Sequence, residues 1–158
     1  MISWTLQFFY LLSLVTWVGG IIFFSFFTTP MVFKHLPKEI GSHFISQIFP
    51  NYYLLAYICG AILIITSLGE SILARQVPWV RIILIALMLG SSIYAGTVIL
   101  PEAHRHKIEL KTMEESVQAT SPIKKRFDTL HLRSVILNMA ILIMGFCLIG
   151  ILAWRLRV

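Results

Sequence analysis

The residues best suited to chemistry lie where the last charged segment of the chain runs into its last apolar one, Phe127-Asp128-Thr129-Leu130-His131-Leu132-Arg133-Ser134-Val135-Ile136-Leu137-Asn138. At ~100° per residue, His131, Ser134 and Asn138 fall within an arc of roughly 60°, which makes one polar stripe on an otherwise oily helix. Polar side chains inside a membrane span usually face the bundle interior, so the stripe is expected to line a polar pocket walled by Asn51, Tyr53 and Glu102. The competing expectation is architectural: His131 and Asn138 hydrogen-bond neighbouring helices and fix their register.

Histidine also raises the chemistry of metals. All five histidines, His35, His43, His104, His106 and His131, fall on one side of the spans described below or at its boundary, and none lies in the uncharged part of a span. A haem buried at mid-membrane needs histidines deep on facing helices, which leaves an interfacial haem or copper held by His131 and another histidine, with His35 and His106 as the candidates. Glu102, His106 and Glu109 recur at i, i+4 and i+7, a spacing that suits a metal and equally suits a solvated helix with internal pairs. Glu70, with Arg75 and Arg81 nearby, reads as half of an interfacial ion pair rather than as a proton site. The sequence has no Gly-rich phosphate loop, nucleophile elbow or paired-cysteine motif. Cys59 and Cys147 lie about 12 Å and about 24 Å from the same membrane face, too far apart in depth for a disulfide, and read as apolar packing residues.

These residues need elements to place them, and composition says which. Of 158 residues 58% are apolar and only 13% charged, with a strongly positive mean hydropathy, outside the range of a soluble domain. The pattern gives an all-α fold: an integral membrane four-helix bundle forming a single domain, with spans at about 4–28, 52–70, 80–100 and 131–154. The first run lacks a basic leader and is too long for a secretory signal, so it is expected to be a retained span, ended by Thr29-Pro30. Between spans 1 and 2, the proline-bracketed stretch from Lys34 to Pro50 reads as a short interfacial helix. Small residues share a face in each of the first three spans: Ser13, Thr16 and Gly20; Ala56, Gly60 and Ser67; Ala86, Gly90 and Thr97.

After Pro101 the chain turns polar. Residues 102–126 hold ten of its twenty Asp, Glu, Lys and Arg residues and have a helix-forming composition to about Val117, so the third helix should project beyond the membrane. Ser121-Pro122 then reads as a cap with proline in the first turn of the next helix. Nine lysines and arginines fall on the side of the two odd-numbered loops and four on the other. The bias places the charged hairpin in the cytoplasm and both termini outside a plasma (inner) membrane. The net charge of +6 and the run Lys124-Lys125-Arg126 fit anionic lipid headgroups better than nucleic acid.

Four pieces taken together, Lys34-His35-Leu36-Pro37, Phe49-Pro50-Asn51-Tyr52-Tyr53, Leu100-Pro101-Glu102 and Leu130-His131-Leu132-Arg133-Ser134 with Asn138, resemble the transmembrane-protein-205-like family of four-span proteins. The resemblance implies an integral membrane protein whose molecular role is poorly defined. The residues themselves favour a non-enzymatic membrane protein, acting alone or as a small subunit of a larger complex, with membrane lipids, other subunits or further copies as partners. An interfacial haem or copper protein is the second reading. The third is an oligomeric exporter of small molecules or metal ions.

Overall fold

A computed structural model of the protein describes residues 2–113 and 121–155. Among them there is no strand; four helices, each long and apolar enough to cross a membrane, form an antiparallel bundle: α1 (Ser3–His35), α2 (Lys38–Ala74), α3 (Trp79–Lys111) and α4 (Pro122–Trp154). Runs of apolar residues without charge have one stable solution in hydrocarbon, because only a helix satisfies every backbone N–H and C=O internally. Neighbours in sequence pack side by side, and α1 closes the ring against α4. Tyr10, Leu14 and Trp17 from α1, Leu63 from α2, Met88 from α3 and Ile141 from α4 fill the centre. Gly60 lets α2 approach, since a Cβ there would lie 2.7 Å from Leu89 and 3.2 Å from the Trp17 ring. Cys59 is buried, Cys147 is exposed, and both are free thiols.

The helices run further than their apolar stretches. At ~1.5 Å per residue α2 is about 55 Å long against a hydrocarbon core of about 30 Å. The stretch expected to form a separate interfacial helix is instead the beginning of α2, which continues through Pro50. Pro50 lacks the N–H that would reach the Ser46 carbonyl. Around that gap Ser46 Oγ donates to Ser42 O at 2.9 Å, while Lys107 Nζ crosses from α3 to Ser42 O at 2.7 Å and Ser46 Oγ at 3.1 Å. Partial burial, reinforced by the Lys111 ammonium, holds the Lys107 amine below the ordinary lysine range.

Thr29-Pro30 does not end α1 either. One turn, Phe23–Thr28, opens into π-helix, the Thr29 N–H reaching back to Phe24 O, and the helix carries on to His35. The same device precedes Pro101 in α3, where Ala95–Ile99 is π-helical and the Leu100 N–H bonds to Ala95 O. A wider turn gives the proline ring room that an α-turn denies it. The charged extension of α3 is helical to Lys111 and ends there, Thr112 being its C-cap, short of the expected Val117; residues 114–117 lie outside the described residues. Ser121 caps α4 as expected: its Oγ accepts from the Ile123 N–H at 3.2 Å, and Pro122 opens the helix.

Exposed Trp4, Trp79 and Trp154 ring one end of the bundle, the placement indoles take at a membrane surface. Just inside this tryptophan end sits the ion pair expected of Glu70. Arg81, only 5% exposed, donates through Nη2 to Glu70 Oε2 at 2.6 Å and Ser67 Oγ at 3.2 Å, and its guanidinium lies 4.3 Å from the Tyr10 ring centroid. Three helices meet on this one side chain. Removing one member of a buried pair strands the other charge, whereas replacing both with apolar groups of similar volume is near neutral. Glu70→Ala is expected to lower unfolding free energy by about 3 kcal/mol, and Glu70→Met with Arg81→Met to recover most of it. Denaturant unfolding in detergent checks this, and a Glu70→Ala loss below about 0.5 kcal/mol would show that the pair is unimportant.

Candidate functional site

The residues expected to share one pocket are found in three places. Ser134 and Asn138 do face inward from α4. Across the bundle diagonal they meet two adjacent tyrosines of α2: Tyr52 Oη donates to Asn138 Oδ1 at 3.1 Å, and Tyr53 Oη lies 3.5 Å from Ser134 Oγ. Tyr53 is buried. Phe24, on the π turn of α1, sits 5.1 Å from the Tyr52 ring, and Phe49 stacks on Tyr53 at 6.1 Å, so the hydroxyl pairs are sealed by aromatic faces. On the α3 side Gly96 provides the space: a Cβ there would collide with Tyr57 Oη and come within 3.0 Å of the Tyr53 ring. Gly96 belongs to the second π turn, and Tyr57 Oη donates to Ser92 O, just before that turn, at 3.4 Å.

His131 and Asn51 do not join this cluster. Both are exposed, and among the described residues neither side chain has a hydrogen-bond partner. Asn51 lies two residues from Tyr53, about 200° around the helix, and so points away from it. His131 lies at the edge of α4's inward face. Deeper in the bundle that edge is covered, with Leu142 buried. The extension of α3 packs on α4 near its start, and there Leu130, beside His131, is the buried residue.

Glu102 is in the third place, an open groove of about 650 Å³ between the extension of α3 and the first turns of α4. Its α3 wall is Glu102, Arg105, His106 and Glu109, and its α4 wall includes Lys125, Arg126, Thr129 and Arg133. Glu102, His106 and Glu109 therefore share a face as their spacing implies, with His106 Nδ1 3.5 Å from Glu109 Oε2. Lys124 turns aside, its Nζ 2.5 Å from Asp128 Oδ1. His35 is exposed at the end of α1. Among the described residues no three His, Cys, Asp or Glu side chains are placed to hold one metal ion.

Sequence reasoning missed Tyr52 as a member of the interior cluster and Arg105 and Arg133 as groove residues. In the sequence Tyr52 is simply the first residue of the second span. What makes it interior is the diagonal reach to Asn138, which no local pattern encodes. The Tyr52–Asn138 bond should be worth about 0.6 kcal/mol, the average for interhelical hydrogen bonds in membranes. Tyr52→Phe and Asn138→Leu are expected to destabilise the bundle non-additively, and a double-mutant cycle in detergent with no coupling would exclude the bond. Gly96→Val should cost more than either, because it displaces the Tyr53 and Tyr57 rings together.

No curated protein and no solved structure matches the chain. Residues 12–112, which take in most of α1, all of α2 and α3, and the α3 wall of the groove, match the model of a family described as a domain of unknown function, DUF4149. Four apolar membrane-crossing helices and this match over well over half of the sequence lead to one assignment: the chain belongs to the uncharacterised DUF4149 family of proteins.

Proposed function

We propose that the chain is a non-enzymatic integral membrane protein serving as a small accessory subunit of a larger membrane assembly. In this reading the basic end, with its polar site, faces the cytoplasm from a plasma (inner) membrane. The carrying observation is the direction of the small-residue faces. That of α2, Ala56, Gly60 and Ser67, is buried within the bundle, whereas Ala86, Gly90 and Thr97 of α3 are all exposed. A Cβ on Gly90 would meet nothing within 4 Å. Glycine inside a helix costs about 0.5–1 kcal/mol relative to alanine, and no close approach among the described residues offsets that cost at position 90. Small residues let membrane helices approach closely, so the face suits a helix from another subunit or a second copy. Thr97 is already satisfied, donating to Ile93 O at 2.7 Å.

The orientation rests on the nine-to-four distribution of lysine and arginine. The motifs shared with the transmembrane-protein-205-like family support the same reading, a four-span protein without an assigned reaction.

Gly90→Leu separates the two uses of glycine. Because its surroundings are open, the substitution should keep the helicity and raise the unfolding midpoint slightly or leave it in place, while Gly60→Leu should destabilise the chain by about 1–3 kcal/mol through overpacking. After extraction from native membranes in mild detergent, the wild-type chain should migrate with a stoichiometric partner or as a defined oligomer, and Gly90→Leu as a lone chain. Identical migration of wild type and Gly90→Leu would refute the assignment of this face.

A further inference from the structure

We propose that the groove between α3 and α4 is a binding site for a hydroxyl-bearing phosphate ester, the chemistry of a glycerol phosphate headgroup. Four cations converge on it, Arg105 from one wall and Lys125, Arg126 and Arg133 from the other. Among the described residues none of these four side chains is ion-paired or hydrogen-bonded. The neighbouring Lys124 shows the alternative, since it is held by Asp128 at 2.5 Å and lies outside the groove. Arginine's planar fork matches two phosphate oxygens at once, and arginines on opposite walls can grip one phosphate from both sides.

Position and size agree with this assignment. The groove begins where the hydrocarbon should stop: Glu102 follows Leu100-Pro101, and Arg133 stands two residues before the uncharged run from Val135. Its volume of about 650 Å³ is within the ordinary range of small-molecule sites, roughly 300–1,000 Å³. Glu102 and Glu109 also line it and leave two of the four positive charges uncompensated. Carboxylates repel phosphate but accept hydrogen bonds from hydroxyls. The mixed lining therefore suits a phosphate with a polyol attached better than bare phosphate.

The site is separate from the outward face of α3, and the two fail separately, since a chain that migrates alone can still bind in the groove. The test uses the whole chain in neutral detergent with three probes, phosphatidylglycerol, phosphatidylcholine and soluble glycerol phosphate. Native mass spectrometry follows the lipids, and titration calorimetry follows the soluble ester. One phosphatidylglycerol per chain should be retained in preference to phosphatidylcholine. Binding should weaken about tenfold or more in Arg105→Gln/Arg133→Gln and hold in Lys34→Gln/Lys38→Gln, which removes equal charge from the same end outside the groove. Lys125→Gln/Arg126→Gln gives the same reading should the first pair fail to fold. Saturable binding of glycerol phosphate with the same dependence on the groove arginines identifies a free phosphate ester as a ligand, and retention of the lipid alone identifies a headgroup. Equal weakening in the groove and control pairs, or no binding of any probe, would overturn the proposal.

Discussion

A polar group in hydrocarbon has no water to turn to, and this one constraint accounts for most of what the interior of the bundle looks like. Hydroxyls along the spans fold back on their own helices, Thr66 to Ile62 O at 2.7 Å and Ser71 to Ser67 O at 2.8 Å. Groups too long for that solution reach across: Tyr52 to Asn138, and Arg81 to Glu70 and Ser67. The helices have little hydrophobic reason to associate when lipid is as apolar as leucine. Cross-links of this kind, with the close approaches at Gly60 and Gly96, then decide which faces meet. The ion pair fixes α1, α2 and α3 at the tryptophan end. The tyrosines fix α2 against α4 toward the basic end, so the bundle is pinned at two levels.

The second level coincides with the irregularities of the backbone. Both π turns precede a proline, and both face the aromatic cluster, Phe24 from one and Gly96 from the other. A π turn inserts one residue into the helix and rotates everything after it by about 100° relative to an unbroken α-helix. In α3 this lets one helix present Met88 to the apolar core and, further on, His106 to the groove. The prolines of α1, α2 and α3 are thus absorbed within the helices, and the bundle extends beyond the membrane as a continuous object.

Helix number, helix order, the Ser121 cap and an ion pair for Glu70, though not the choice of Arg81 over Arg75, were legible in the sequence because each follows from a local rule: charge-free length, side-chain capping, or opposite charges at neighbouring span ends. The prolines were misleading for the same reason. Read locally, Pro30 and Pro50 are breaks; in the structure a π turn accommodates Pro30 and α2 continues through Pro50, and neither is visible in a window of ten residues. The polar stripe on α4 was half legible. Helical arithmetic gave Ser134 and Asn138 their common direction, but only the level at which neighbours stop packing leaves His131 outside. The same arithmetic sets Asn51 opposite Tyr53 on α2, so the two do not wall one pocket.

The chain treats its arginines in two contrasting ways, and the contrast follows from depth. Arg81 is buried under a tyrosine ring with its countercharge supplied by the protein, because an unpaired guanidinium at that level would be costly. Arg105 and Arg133 stand at the other end, exposed and, among the described residues, in no direct ion pair, in a groove that two helices hold open. Near water, an unpaired cation costs little and keeps its full attraction for an anion. Burial therefore turns one arginine into a structural clasp, and exposure leaves the others available for binding.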